Sequence, residues 1–193
     1  MPRISAPTLA EHRARQREAL LTAATELLVS QGPAAVTPAA VGAAAGLARS
    51  SVYQYFSSSG AILAAIIEES FPRSSAGLRA ATEGLSDPLE IMEAFIRELL
   101  HQAAQGAHRP ATALRGAELP PECFDRLDEL HEEQIAPFRA ALMQLDLPAP
   151  RVTGLLVGGM LQAAVAAVDG GADAEAVTEE TLRLVRAAVG APA

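Results

Sequence analysis

The chain has 193 residues, 50% of them apolar, a formal net charge of −8 and a single cysteine, Cys123. A lone cysteine excludes a disulfide framework and a cysteine-built metal site and agrees with a cytoplasmic setting, and the short polar start, Met1 to Thr8, lacks a signal-peptide core. Net negative charge argues against nucleic acid, but residues 1–60 hold five arginines against three acids and residues 61–193 ten against twenty, so a mildly positive head sits on an acidic body and can orient on DNA.

The apolar spacing is helical throughout and predicts an all-α protein of about nine helices, with no alternating strand. Thr8 to Glu11 reads as a capping box opening a first helix to about Ser30, with Leu20, Leu21, Ala24, Leu27 and Leu28 on one face and Gly32-Pro33 as its stop. Thr37-Pro38 opens a short second helix, Gly46 breaks it, and a third runs from about Arg49 to Tyr55. One serine of Ser57–Ser59 caps a fourth helix toward Phe71, which Pro72 and Gly77 should interrupt or bend.

Asp87-Pro88-Leu89-Glu90 starts a fifth helix, with Leu89, Met92, Phe95, Ile96, Leu99 and Leu100 on its stripe. A short helix is expected near Ala111 to Gly116. A longer one, from Pro120-Pro121 to about Gln144, turns Phe124, Leu127, Leu130, Ile135, Phe138 and Leu142 inward, with a kink at Pro137. Val152 to Val168 is almost wholly apolar yet short of the ~20 residues a bilayer needs, so it reads as a helix buried in protein rather than in a membrane. Asp173 caps a last helix to about Val189. The domain boundary falls near Gly60: residues 1–60 form a small three-helix unit and residues 61–193 a larger helical bundle.

Within the small unit, Thr37 to Phe56 has the spacing of a helix-turn-helix. Gly42, Ala43 and Ala45 are small enough for close crossing, Gly46 tolerates positive φ at the turn, and Val41, Leu47 and Val52 hold the angle. The second helix of the pair offers Arg49, Ser50, Ser51, Tyr53, Gln54 and Tyr55 to phosphates and base edges, with Arg49 the best base reader. A plain three-helix corner matches the same spacing.

The segment from about Arg17 to Phe71 resembles the DNA-binding domain of the tetracycline-repressor (TetR) family. The matching residues are Ala23-Ala24, Leu27-Leu28, Gly32, Val36-Thr37, Val41, Ala45-Gly46-Leu47, Val52-Tyr53, Tyr55-Phe56 and Ile62-Leu63, and Val52 to Phe56 matches the "VY.YF" element that ends the family's recognition helix. Three positions depart from the family: Ala48 replaces the usual cap, Ser59 the usual phosphate-binding lysine, and Gly42 a common alanine. The first two imply weakened DNA contact, the third a sterically harmless change.

The resemblance implies that Thr37 meets a phosphate and that the protein is a repressor binding a double-stranded operator as a homodimer; no nucleophile–base pair, metal constellation or phosphate-binding glycine loop appears, so neither catalysis nor a cofactor is expected, and a helical interaction module without DNA binding is the other rival reading. An unknown small molecule would enter the larger domain, shift the fourth helix and lower operator affinity. The expected pocket lies among Phe95, Leu99, Leu114, Phe124, Leu127, Phe138 and Met160, and the scarcity of aromatics points to an apolar ligand. The expected dimer surface is Leu155, Gly158, Gly159, Gln162, Leu182, Val185 and Val189, because a helix apolar nearly all round exceeds what one face of a bundle can cover. His12, His101, His108 and His131 have no metal spacing, Cys123 reads as a buried inert thiol, and the acids from Asp125 to Glu133 read as a solvated face, with a cationic-ligand pocket as the sharper alternative.

Overall fold

The computed structural model describes residues 9–114 and 121–190. These residues form helices and connecting turns, with no strand among them. The helices are α1 (Leu9–Gln31), α2 (Pro38–Ala44), α3 (Arg49–Val52), α4 (Ser59–Thr82), α5 (Pro88–Ala104), α6 (Arg109–Ala113), α7 (Pro121–Gln144), α8 (Pro150–Asp169) and α9 (Ala174–Ala188). A 3-10 turn, Pro33–Ala35, joins α1 to α2. Thr8, the expected first cap, and the side chains of Cys123, Phe124 and Asp125 lie outside the described residues.

Local chemistry sets the helix ends. Thr37 accepts from the Ala40 amide at the start of α2, and Asp87 accepts from the Leu89 and Glu90 amides at the start of α5, each with proline in the first turn. Ser58 is the serine that caps α4, accepting from the Ala61 amide. Asp173 does the same for α9 through the Glu175 amide.

The chain divides into two compact units. The first is Met1–Glu68 with Ala113–Phe124, and the second is Glu69–Thr112 with Asp125–Ala193. In the first, Leu20, Ala24, Leu28, Val36, Val41, Val52 and Ile62 are fully enclosed. In the second, α5 packs on α8 and α9, and Leu78, Met92, Phe95, Ile96, Leu100, Leu142, Val157, Leu182 and Val185 form one continuous core.

Three elements differ from expectation. α4 runs through Pro72 and Gly77 without a break. Proline costs a helix interior about 3 kcal/mol; here the apolar packing on either side of it, Ile62 to Ile67 before and Leu78 after, holds the helix. α3 is a single turn ending at Val52 rather than reaching Tyr55. α8 is apolar but not wrapped: Val152, Leu155 and Leu156 are 56%, 78% and 70% exposed, while Val157, Leu161, Ala164, Val165 and Val168 are buried. By length and composition α8 could cross a membrane, the sole such helix among the described residues.

Candidate nucleic-acid interface

The two short helices α2 and α3 meet through a tight turn. Gly46, at φ 70, ends α2, its amide bonding the Ala43 carbonyl while the Leu47 amide bonds the Gly42 carbonyl at 2.7 Å. This is a Schellman closure, which needs a left-handed residue where Gly46 stands. Val41 and Val52 are both fully buried at the crossing, with Leu47 half-buried beside them.

Gly42 makes the crossing possible. A Cβ there would lie 2.8 Å from the Leu47 carbonyl oxygen and 3.0 Å from Val52 Cγ2. Glycine in place of the family's common alanine is thus not only harmless but fitted to the crossing, because backbone stands where the methyl would go. Ala43 is exposed and Ala45 half-buried, so the glycine supplies the close approach.

Above this frame α3 presents its outer face. Arg49, Ser50, Tyr53 and Gln54 are exposed and Ser51 half-exposed. Arg49 Nη2 donates to the Tyr53 hydroxyl at 3.0 Å, and its guanidinium stands 5.5 Å from the Tyr53 ring centre. The pair thus holds the arginine extended along the helix surface. Thr37 is exposed beside the α2 N-terminus with its hydroxyl engaged as cap. Ala48 provides no side-chain cap for α3, and neither following serine replaces it.

Tyr55 behaves differently from Tyr53. It is half-buried, and its hydroxyl donates to Gln16 Oε1 on α1 at 2.7 Å. Arg13 lies 6.0 Å from the Tyr55 ring centre and Arg17 5.8 Å from that of Phe56. Three residues of α1 that the sequence reading did not single out therefore brace the end of the recognition segment. Their spacing, 13, 16 and 17, places them on one helical face, and that was the available signal.

In the larger unit, four of the expected pocket residues come together: Phe95 and Phe138 are buried with ring centres 5.3 Å apart, and Leu99 and Met160 pack on the same core half-buried. Leu127 is half-exposed, Leu114 is buried within the other unit, and Phe124 is outside the described side chains. Of the expected dimer residues, Leu155, Gly159 and Gln162 are exposed, and Gly158 and Val189 partly so. Leu182 and Val185 are each 1% exposed; they seal α9 against the core of the same chain and are not available at a surface. Asp128, Glu129, Glu132 and Glu133 are exposed, a solvated face as read from their spacing.

The larger unit also holds a polar cluster outside that reading. Ser74, Gln102 and Gln134 are buried and hydrogen-bonded together. Their signal was a polar residue on an inward stripe: Gln102 follows Phe95 and Leu99, and Gln134 precedes Phe138 by one turn.

An all-α chain with a glycine-hinged helix pair and an exposed arginine-bearing second helix is a helix-turn-helix protein. Residues 20–66, the segment that holds this helix pair, match the model of the bacterial regulatory proteins of the tetR family. No curated protein matches the sequence. Among solved structures, a TetR-like transcriptional regulator from Rhodococcus sp. RHA1 is similar at TM-score 0.79 and 19% identity, covering 96% of this chain and 100% of that one. The fatty acid degradation regulator FadR from Bacillus halodurans is similar at 0.73 and 19%, covering 88% and 94%. AibR, solved with isovaleryl coenzyme A and operator DNA, is similar at 0.75 and 14%, covering 88% and 97%. At these identities the likeness is one of fold.

Proposed function

We infer that the protein is a ligand-responsive transcriptional repressor, which binds a palindromic double-stranded operator as a homodimer and leaves it when a small, predominantly apolar molecule enters its C-terminal domain. Residues 1–60 are the DNA-binding domain and residues 61–193 the ligand-binding and dimerisation domain. The observation that carries this is the outer face of α3 and of the turn that follows it, where Arg49, Ser50, Tyr53 and Gln54 stand exposed on a glycine-hinged frame. Arg49 reads a guanine edge, Ser50, Ser51, Tyr53 and Thr37 take phosphates, and Gln54 takes an adenine or a phosphate. Tyr55, tied to Gln16, contributes chiefly by placing the segment.

Two copies are needed to read two half-sites. The exposed face of α8, with Val152, Leu155, Leu156, Gly159, Gln162 and Ala163, supports a symmetric pairing and accounts for an apolar helix that its own chain leaves uncovered. AibR, with its bound coenzyme A ester and operator, supports the ligand-controlled reading for this fold. Ligand and operator then oppose each other reciprocally. The protein acts in the cytoplasm and performs no catalysis.

The test is a gel-shift titration on the DNA upstream of the protein's own gene at several salt concentrations. Arg49→Ala is expected to cost about 1–3 kcal/mol of operator binding and to relax sequence preference, whereas Tyr53→Phe weakens all sequences alike. Absence of sequence-specific binding at low salt refutes the reading.

A further inference from the structure

The core of the larger unit is interrupted by one polar knot. Ser74 of α4, Gln102 of α5 and Gln134 of α7 are 9%, 7% and 8% exposed. The Ser74 hydroxyl donates to Gln102 Oε1 at 2.5 Å and accepts from Gln134 Nε2 at 2.7 Å. Gln102 Nε2 donates to the Ser74 carbonyl at 3.2 Å and to Glu98 Oε1 at 2.7 Å. One serine hydroxyl is thus the meeting point of three helices.

Stability does not explain this arrangement. Buried polar side chains at best recover in mutual bonds what they lose in hydration, and carbon of the same volume packs as well or better. The placement adds a second observation. Gln102 shares a face of α5 with Phe95 and Leu99, and Gln134 shares a face of α7 with Leu127 and Phe138, so the knot continues the apolar stripes proposed to line the ligand site. Opposite it, α4 carries Gly77: a Cβ there would lie 2.5 Å from Gln102 Nε2 and 2.7 Å from Glu98 Oε1, so the glycine lets both side-chain ends stand close against the α4 backbone.

The geometry points to Ser74, Gln102 and Gln134 as the polar anchor of the effector site, selecting an apolar molecule that carries one uncharged group able both to donate and to accept, such as a primary amide or a hydroxyl. This rests on the ligand-responsive reading above and names the chemistry of its ligand. The two amides and the hydroxyl are neutral donor-acceptors, so an incoming amide or hydroxyl exchanges partners with them bond for bond. A purely apolar group that displaced any of these mutual bonds would strand buried polar atoms, which sites of this kind reject strongly. The one formal charge in the cluster is the Glu98 carboxylate, so a carboxylate ligand meets repulsion with no cation among these side chains to offset it.

Calorimetric titration of the full-length protein with octanamide, 1-octanol and sodium octanoate tests the assignment. Octanamide and 1-octanol are expected to bind saturably, at least about tenfold more tightly than octanoate, the size of one lost buried hydrogen bond. Gln134→Met is expected to weaken octanamide about tenfold and bring its ratio to octanoate toward one, with helix content unchanged by circular dichroism. Ser74→Ala, a smaller change, gives the same readout if the first variant does not fold. Octanoate binding as tightly as octanamide, saturable binding of none of the three, or unaltered discrimination in the folded variants overturns the assignment. Operator binding measured in parallel separates the two readings: if it persists while discrimination fails, only the anchor falls, and if it is absent the regulator reading falls.

Discussion

At the scale of single residues, the recognition frame turns on Gly42 and Ala48. A methyl at Gly42 meets the Leu47 carbonyl at 2.8 Å, and backbone cannot step aside as a flexible side chain would. Gly42→Ala gains helix propensity of about 1 kcal/mol, but the overpacking costs about 1–3 kcal/mol. The net expectation is a lower melting temperature and weaker operator binding, read by thermal denaturation and gel shift. Ala48 offers the opposite case. It leaves the start of α3 without a side-chain acceptor, so Ala48→Ser should stabilise the recognition helix by about 0.5–1 kcal/mol. A melting temperature that falls on this substitution would mean that the α3 amides already have partners. Most of this was legible in the residues: glycine at the turn, apolar anchors and the missing cap are all local features. The cost of a methyl at Gly42 was not, because it depends on where Leu47 returns in space.

At the scale of elements, α5 and α9 are tied by charge as well as by packing. Arg186 donates from Nε and Nη2 to the two Glu93 carboxylate oxygens at 2.6 and 2.7 Å, and Arg97 pairs with Glu179 at 2.8 Å. The hydrogen bonds from Arg186 hold the Glu93 carboxyl below its ordinary value, against a smaller opposing effect of burial. A carboxyl with a depressed folded-state pKa adds stability above its unfolded value, near 4.3, and loses it as pH falls through the lower folded value. Glu93→Gln should therefore lower the melting temperature at pH 7 and flatten its decline below about pH 4.3, where the unfolded carboxyl begins to titrate. A decline of unchanged steepness would show that other carboxyls dominate it. Single-element patterns gave the caps Thr37, Asp87 and Asp173 correctly, since each bonds within its own first turn. The Glu93–Arg186 pair joins residues 93 positions apart, and no local pattern encodes such a meeting.

At the scale of the whole molecule, the exposed apolar face of α8 is the surface on which the proposed dimer is tested. Leu155 and Leu156 are the most exposed large apolar side chains among the described residues, at 78% and 70%, and exposed apolar side chains gathered on one helix form the kind of patch that marks an interaction site. Leu155→Glu is expected to give a monomer by sedimentation and to abolish high-affinity operator binding, because two half-sites must be held at once. A dimer that survives the substitution would place the interface elsewhere. The variant should fold, since the side chain contributes little to its own protomer's core.

The sequence by itself determined the all-α class, the helix-turn-helix with its glycine turn, and the outward set on α3, because periodicity, caps and turn residues act over a few positions. It also showed that α8 is more apolar than one bundle face requires. Only the tertiary structure decided which side of each apolar helix is covered. It turned Leu182 and Val185 into the protomer's own core, set Tyr55 on Gln16, carried α4 through Pro72, and gathered Ser74, Gln102 and Gln134. The reason is physical: burial and hydrogen-bond partners belong to contacts between distant segments, and a helical stripe specifies that a face will be covered without specifying by what.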